Sequence, residues 1–162
     1  MTVSKKLTDY LDNAAATYTV RSHPRSATSA EAAHAAHVPE SDFAKAVVLK
    51  DAEGYFVAVL PASREIVLAQ LWRTLHSPVE LASEAEIANL FDDCAMGAVP
   101  AFGQAYDLPV VVDEHLMSRP TVYIEGGDHE SVVEMPGEAF AQLMRDARHA
   151  NFVAHRPEPL AS

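Results

Sequence analysis

The stretch AKAVVLKDAEGYFVAVLP, residues 44–61, decides the fold. Its first half carries the β-branched pair Val47-Val48 and its second half runs from Tyr55 to Leu60, so both halves read as strands. Ala52 to Gly54 forms the turn between them, and Pro61, which cannot donate to a strand ladder, closes the hairpin. Strands and helices interleave around this hairpin without the regular spacing of a doubly wound fold. A mixed α+β sheet with hairpins is therefore expected.

Upstream, Leu7, Tyr10 and Leu11 stand at helical spacing within Lys5 to Asn13, and Tyr18 to Val20 follows as a short strand ending at His23-Pro24. Thr28 and Glu31 have the spacing of a capping box, whose hydroxyl and carboxylate satisfy amide donors at a helix start; the alanine-rich stretch to His37 continues that helix. Downstream, Leu68, Leu71, Trp72 and Leu75 give an apolar face to a helix expected from about Arg64 to Leu75. A short strand, Val79 to Ala82, precedes a second capping box, Ser83 with Glu86, and a short helix through Ile87, Leu90 and Phe91. Periodicity then stops. Cys94 to Gln104 reads CAMGAVPAFGQ, in which Gly97, Pro100 and Gly103 mark an irregular loop with exposed backbone groups. Pro109 to Val112, Thr121 to Glu125 and Ser131 to Met135 read as strands, with Gly126-Gly127 as a turn. Phe140, Leu143, Met144 and Ala147 line a last helix starting near Pro136. Residues 1–150 are expected to form one domain, with 151–162 as a flexible tail.

The 162 residues are 49% hydrophobic and 22% charged, enough for one core and too little bias for wholesale disorder. No apolar run approaches the roughly 20 residues of a membrane helix, the polar N-terminal stretch lacks the apolar run of a secretory signal, and the sole cysteine, Cys94, excludes an internal disulfide. A cytoplasmic protein is expected. Twelve Lys and Arg against 23 Asp and Glu leave a net charge of −11, which opposes gripping nucleic acid by bulk electrostatics. Any such partner needs a local site.

No G-x-S-x-G string, G-x-G-x-x-G turn or Walker loop occurs, so a serine nucleophile elbow and a nucleotide cofactor have no support. Cys94 has no histidine near it in sequence and reads as a small buried hydrophobe. His34 and His37 stand at i and i+3 but lack the H-E-x-x-H or paired cysteines of a zinc site, and no metal is expected. Two features remain. Lys45 interrupts an apolar strand, where an ammonium must reach a cleft, a carboxylate or water; the pattern fits a cleft lysine and an outward-snorkelling edge lysine equally well. The loops around Gly97 to Gly103 and Gly126-Gly127-Asp128-His129 offer amides suited to an oxyanion or carbonyl, with His129 as a donor beside them, although simple turn geometry also explains the glycines.

The strings AKAVVLK at Ala44, VLPASREI at Val59, LASEAEI at Leu81, GAVPAFG at Gly97, LPVVVDEHL at Leu108 and YIEGGDHESVVEM at Tyr123 form an ordered set. In this order and spacing, from about Tyr18 to Met144, they resemble the YbaK/ProX family of aminoacyl-tRNA deacylases, related to the editing domain inserted in bacterial prolyl-tRNA synthetases. The resemblance implies a mixed, partly barrel-like sheet surrounded by helices. It implies that Lys45 projects into the substrate pocket and serves catalysis together with backbone amides at Gly97 and Ala98. It assigns substrate binding to Met96, Pro100, Phe102 and Gly103 of the first loop, Gly127 and His129 of the second, His23 of the first strand and Asp113 after a central strand. One departure is visible: the fuller G-G-x-S-P-x-G form of the loop is replaced by Ala98-Val99-Pro100-Ala101-Phe102-Gly103, so the edited amino acid does not follow from the resemblance.

The implied reaction is hydrolysis, in trans, of the ester joining a mischarged amino acid to the terminal ribose of tRNA. Such an ester is already activated, so a placed water and a stabilised oxyanion suffice, without a covalent nucleophile, metal or other cofactor. Met96 and Phe102 are the expected walls of a pocket that selects by volume, because one methylene is worth only about 1–3 kcal/mol in a synthetic site. The implied partner is the acceptor end of aminoacyl-tRNA, reached through a small basic patch or with a synthetase or elongation factor holding the tRNA. The competing expectation is a non-catalytic module of the same fold that binds a small amino-acid-like ligand or a protein partner.

Overall fold

In the structure, a computed structural model that describes residues 3–155, the elements run α1 (Lys5–Asn13), β1 (Thr19–Ser22), α2 (Ser29–Ala35), β2 (Phe43–Asp51), β3 (Gly54–Pro61), β4 (Arg64–Ile66), α3 (Leu68–Leu75), β5 (Glu80–Leu81), α4 (Glu84–Leu90), β6 (Val110–Asp113), β7 (Thr121–Glu125), β8 (Ser131–Pro136), α5 (Gly137–Leu143), β9 (Arg148–Ala150) and β10 (Val153–His155). The mid-chain hairpin is the centre of the molecule. β2 and β3 pair antiparallel from Ala44↔Pro61 to Asp51↔Gly54, and β7 and β6 flank them in parallel, giving the sheet order β1-β8-β7-β2-β3-β6-β9. This mixed sheet is open, with β1 and β9 at its edges, and does not close into a barrel.

One edge of β2 has two partners. Phe43 and Ala44 pair with Tyr123 and Ile124 of β7, whereas Leu49 and Lys50 pair with Leu81 and Glu80 of β5. The sheet splits beside the residues between them.

Strand alternation sets two faces. On one, Ala44, Val48, Val57, Val59, Ile124 and Val133 build a core closed by Leu7 and Leu11 of α1, Phe91, Phe102, and Phe140 of α5. The other face carries two separate apolar clusters. Phe43, Ala62 and Val132 pack under Ala32, Ala33 and Ala36, while Leu49, Leu60 and Val111 pack with Leu71 of α3 and Phe152. Lys45 lies on this second face between Phe43 of one cluster and Val47 of the other, and is half-buried at their seam. That position explains how an apolar strand accommodates it.

Several local expectations need correction. Arg64–Ile66 is not the first turn of a helix but a strand, because it pairs with β10; α3 starts only after Val67. Ser83 and Glu86 make a complete capping box, whereas at α2 the Thr28 hydroxyl accepts the Glu31 amide at 3.1 Å but the Glu31 carboxylate accepts from Ala27 at 2.9 Å instead of closing the box on Thr28. Within the expected tail, Phe152 is fully buried and Val153–His155 pair with β4, so the described part of that segment is ordered; residues 156–162 lie outside the described residues. Among the described residues no helix is long and apolar enough to cross a membrane.

Three residues expected at the substrate belong to the interior. Phe102 is fully buried, its ring 5.8 Å from that of Tyr10 and 5.7 Å from that of Phe140. Gly103 sits so tightly that a Cβ would come within 2.8 Å of Val57 Cγ2. Asp113, also fully buried, accepts the His115 amide at 3.0 Å, His115 Nδ1 at 2.6 Å and the Phe152 amide at 3.3 Å, and so clasps two chain segments together. Phe102→Ala is expected to lower stability by about 3–5 kcal/mol in urea unfolding. Parental stability combined with altered amino-acid selectivity would instead restore Phe102 as a pocket wall.

Candidate active site

The loop between β7 and β8 is built by two carboxylates. Glu125 Oε1 accepts the amides of Gly127 at 3.1 Å and His129 at 3.2 Å, while Asp128 accepts the Glu130 amide and the Ser131 hydroxyl, both at 2.9 Å. Gly127 has φ +110, and a Cβ there would lie 3.1 Å from Ser4 Cβ, so both backbone shape and space favour glycine. His129 adopts the left-handed region at φ +64, uncommon for a residue with a side chain. Its amide on Glu125 and its carbonyl, which accepts the Ser26 amide at 3.1 Å, hold it there.

A second loop, following α4, docks onto the first. The Ala95 amide donates to the Gly127 carbonyl at 2.8 Å, and His129 Nε2 donates to the Met96 carbonyl at 2.5 Å. Because a carbonyl only accepts, the proton of a neutral His129 sits on Nε2 and Nδ1 is left as an acceptor. Gly97, at φ +81, lies against the imidazole, with its Cβ position 3.6 Å from Cε1. Ala98 is buried and its amide already donates to the Ala95 carbonyl at 3.0 Å, so it is not available to an oxyanion as expected. Gly97 is exposed.

The end of the first strand is zipped along the same loop. The His23 amide donates to the Glu130 carbonyl at 2.9 Å, three residues before the Ser26 amide reaches His129. His23 Nδ1 donates to the Pro24 carbonyl at 2.7 Å, which makes Nε2 the acceptor of a neutral ring. Both His23 Nε2 and Ser26 Oγ are buried without a hydrogen-bond partner among the described residues. Arg25, Ser26, Ala27, Glu31, Met96 and His129 line a groove of about 430 Å³ here. Lys45 does not line it. It follows Ala44, whose pairing with Ile124 is the last rung between β2 and β7, so it stands at the point where the two strands part.

The structure thus gathers His23, Met96, Gly97, Gly127 and His129 in one place, while Lys45 lies outside that groove, one residue past the last β2–β7 pair. Pro100, Phe102, Gly103 and Asp113 are buried elsewhere in the fold, and Ala98 is spent on its own turn. Sequence reasoning missed Glu125, Arg25 and Ser26. A glutamate ending a strand directly before Gly-Gly was the available signal for Glu125, since its carboxylate can reach the amides of the following turn.

Residues 23–143 match the family model described as an aminoacyl-tRNA editing domain. The chain belongs to that family. Among solved structures it is similar to "hypothetical protein APE2540", with 24% identity and a TM-score of 0.81, over 93% of this chain and 100% of that one. A "putative trans-editing enzyme for prolyl tRNA synthetase" is similar at 25% identity and a TM-score of 0.77, over 92% and 95% of the two chains. A "putative signal transduction protein" from Marinobacter aquaeolei VT8 shares the fold over 91% of this chain but only 30% of its own, at 21% identity and a TM-score of 0.75. A comparison with curated proteins finds no match.

The electrostatics of this editing domain separate working groups from supporting ones. Burial pushes the Cys94 thiol up to about 12, and its Sγ donates to Asp93 Oδ1 at 3.4 Å, so it stays protonated near neutrality and is a poor nucleophile. Burial also pushes Asp93 upward, but hydrogen bonds from the Tyr106 hydroxyl at 2.5 Å, the Lys6 amide at 3.1 Å and the Ser4 hydroxyl at 2.8 Å outweigh it and hold the carboxyl below its ordinary value. Among the described residues no group of three or more His, Cys, Asp or Glu is arranged to hold a metal ion.

Glu125 lies above the ordinary carboxylate value because burial outweighs its two amide donors and the attraction of His129 and His23. A folded-state value above the unfolded one means that ionisation costs stability as pH rises through that window. Glu125→Gln keeps an acceptor for both amides and removes this cost. Its stability relative to the parent is expected to rise as pH increases from the ordinary carboxylate value, about pH 4, toward neutrality, measured by urea unfolding across pH. A difference that stays flat over that range would contradict the burial argument.

Proposed function

We propose that this protein hydrolyses, in trans, the ester between a mischarged amino acid and the terminal ribose of tRNA, without a covalent nucleophile or metal. The observation that carries this reading is the junction of two loops at the end of β7, where His129 Nε2 bonds the Met96 carbonyl beside Gly97. Membership of the editing-domain family supports the substrate class. The structural neighbour described as a "putative trans-editing enzyme for prolyl tRNA synthetase" supports action in trans.

The chemistry asks little of the protein because the ester is activated. The exposed Gly97 amide stabilises the developing oxyanion, and Lys45 holds the ribose end of the ester. Water attacks the carbonyl carbon, the bond to the ribose oxygen breaks, and that oxygen leaves with a proton while the neighbouring ribose hydroxyl assists. His129 is kept in place by Glu125 and Met96 and walls the aminoacyl site, with the exposed Met96 side chain beside it. Selection then rests on which side chains fit between them. A net charge of −11 leaves tRNA affinity to local contacts or to a synthetase or elongation factor that presents the tRNA.

A panel of Ala-, Ser-, Cys- and Pro-charged tRNAs tests the proposal. At least one is expected to lose its amino acid far faster with the protein than without it, equally well in the presence of a chelator. Lys45→Ala is expected to lower kcat/KM by about a hundredfold or more. Binding of charged tRNA with no acceleration for any member would leave a non-catalytic module of the same fold.

A further inference from the structure

Most of the cations with visible partners are neutralised locally. Lys5 pairs with Asp9, Lys6 with Asp92, Arg21 with Glu134, Lys50 with Glu86 and Arg119 with Asp42, all within hydrogen-bond distance. Arg25 differs. It is exposed on the wall of the groove beside His129, and no carboxylate pairs with it among the described residues. Its backbone is pinned on both sides, by the His23 amide on Glu130 and the Ser26 amide on His129, so its Cα is fixed relative to the aminoacyl site. The next residue supplies an independent observation. Ser26 is only 8% exposed, lines the same groove, and its hydroxyl has no hydrogen-bond partner. A buried hydroxyl in that state is costly unless something completes it.

We propose that Arg25 and Ser26 form a phosphodiester site for the tRNA 3′ end, taking the phosphate 5′ to the acylated ribose. This rests on the deacylase reading above and adds to it the element that positions the nucleic acid. The guanidinium offers a planar fork of donors suited to phosphate oxygens, and the Ser26 hydroxyl, closed off from solvent in this structure, adds a third when its side chain turns toward the groove. Glu31 also lines the groove, but its Oε2 is engaged by the Ala27 amide at 2.9 Å, and the Arg25 charge opposes its repulsion of the phosphate. One such contact beside the chemistry lets a chain with a charge of −11 bind an acceptor end without a basic face.

The test compares hydrolysis of the charged tRNA that the parent edits fastest with hydrolysis of the same amino acid on the ribose of adenosine, an ester that lacks the phosphate. For Arg25→Ala, the preference for tRNA over the adenosine ester is expected to fall about tenfold or more, through KM and not kcat. The slope of log(kcat/KM) against log salt is expected to become shallower by about one. Ser26→Ala should shift the same preference in the same direction by a smaller factor, and Arg25→Lys should recover part of it. Equal losses on both esters, or no loss on tRNA, overturn the phosphate site. Should the parent hydrolyse neither ester, the deacylase reading fails by itself. Equilibrium binding of an uncharged acceptor-stem hairpin then decides the phosphate site: weaker binding and a shallower salt slope for Arg25→Ala support it, and identical affinity across salt concentrations rejects it.

Discussion

On one edge of β2, two strands divide the available backbone, β7 taking residues 43–44 and β5 taking 49–50. A single long neighbour would have continued the ladder and sealed the sheet. Because the edge is shared, the sheet opens in the middle, and the loop leaving β7 turns back beside that opening to meet the loop that follows α4. The core on one face nevertheless runs unbroken past this point, through Ala44 and Val48, whereas the other face holds two smaller clusters.

The loops at the opening are irregular but not loose. Glu125 and Asp128 each satisfy donors of their own turn, and the Ser4 amide donates to the Gly126 carbonyl at 2.8 Å from the other side. Asp93 receives the hydroxyls of Ser4 and Tyr106, and thereby ties the start of α1 to the stretch before Gly97. Groups held in this way need little rearrangement when charge develops on a bound ester, which is the condition under which backbone donors are most effective. Carboxylates do the holding here, and in a chain so rich in acid this gives buried or half-buried acidic groups a structural task.

Much of the architecture was legible in the pattern of side chains. The central hairpin, the helices at Lys5–Asn13 and Glu84–Leu90 and the strand Thr121–Glu125 follow directly from alternation, capping residues and turn chemistry. The three-residue strands β4, β9 and β10 were not legible, because each is defined by a distant partner and is too short to show a period of its own. The same limit applied at the site. Gly97, Gly127 and His129 stood out through their residue types, whereas Phe102, expected as a pocket wall, and Asp113, assigned only by the family resemblance, went into the interior, a choice made by tertiary packing. Arg25 and Ser26 gave no signal at all, since their meaning comes from two backbone bonds to a loop a hundred residues away.

Lys45 sits where two greasy patches on one sheet face nearly meet. A leucine in its place would extend the apolar surface from one patch to the other along β2. Such a residue acts as a partition, holding apart two apolar regions that one strand would otherwise run together.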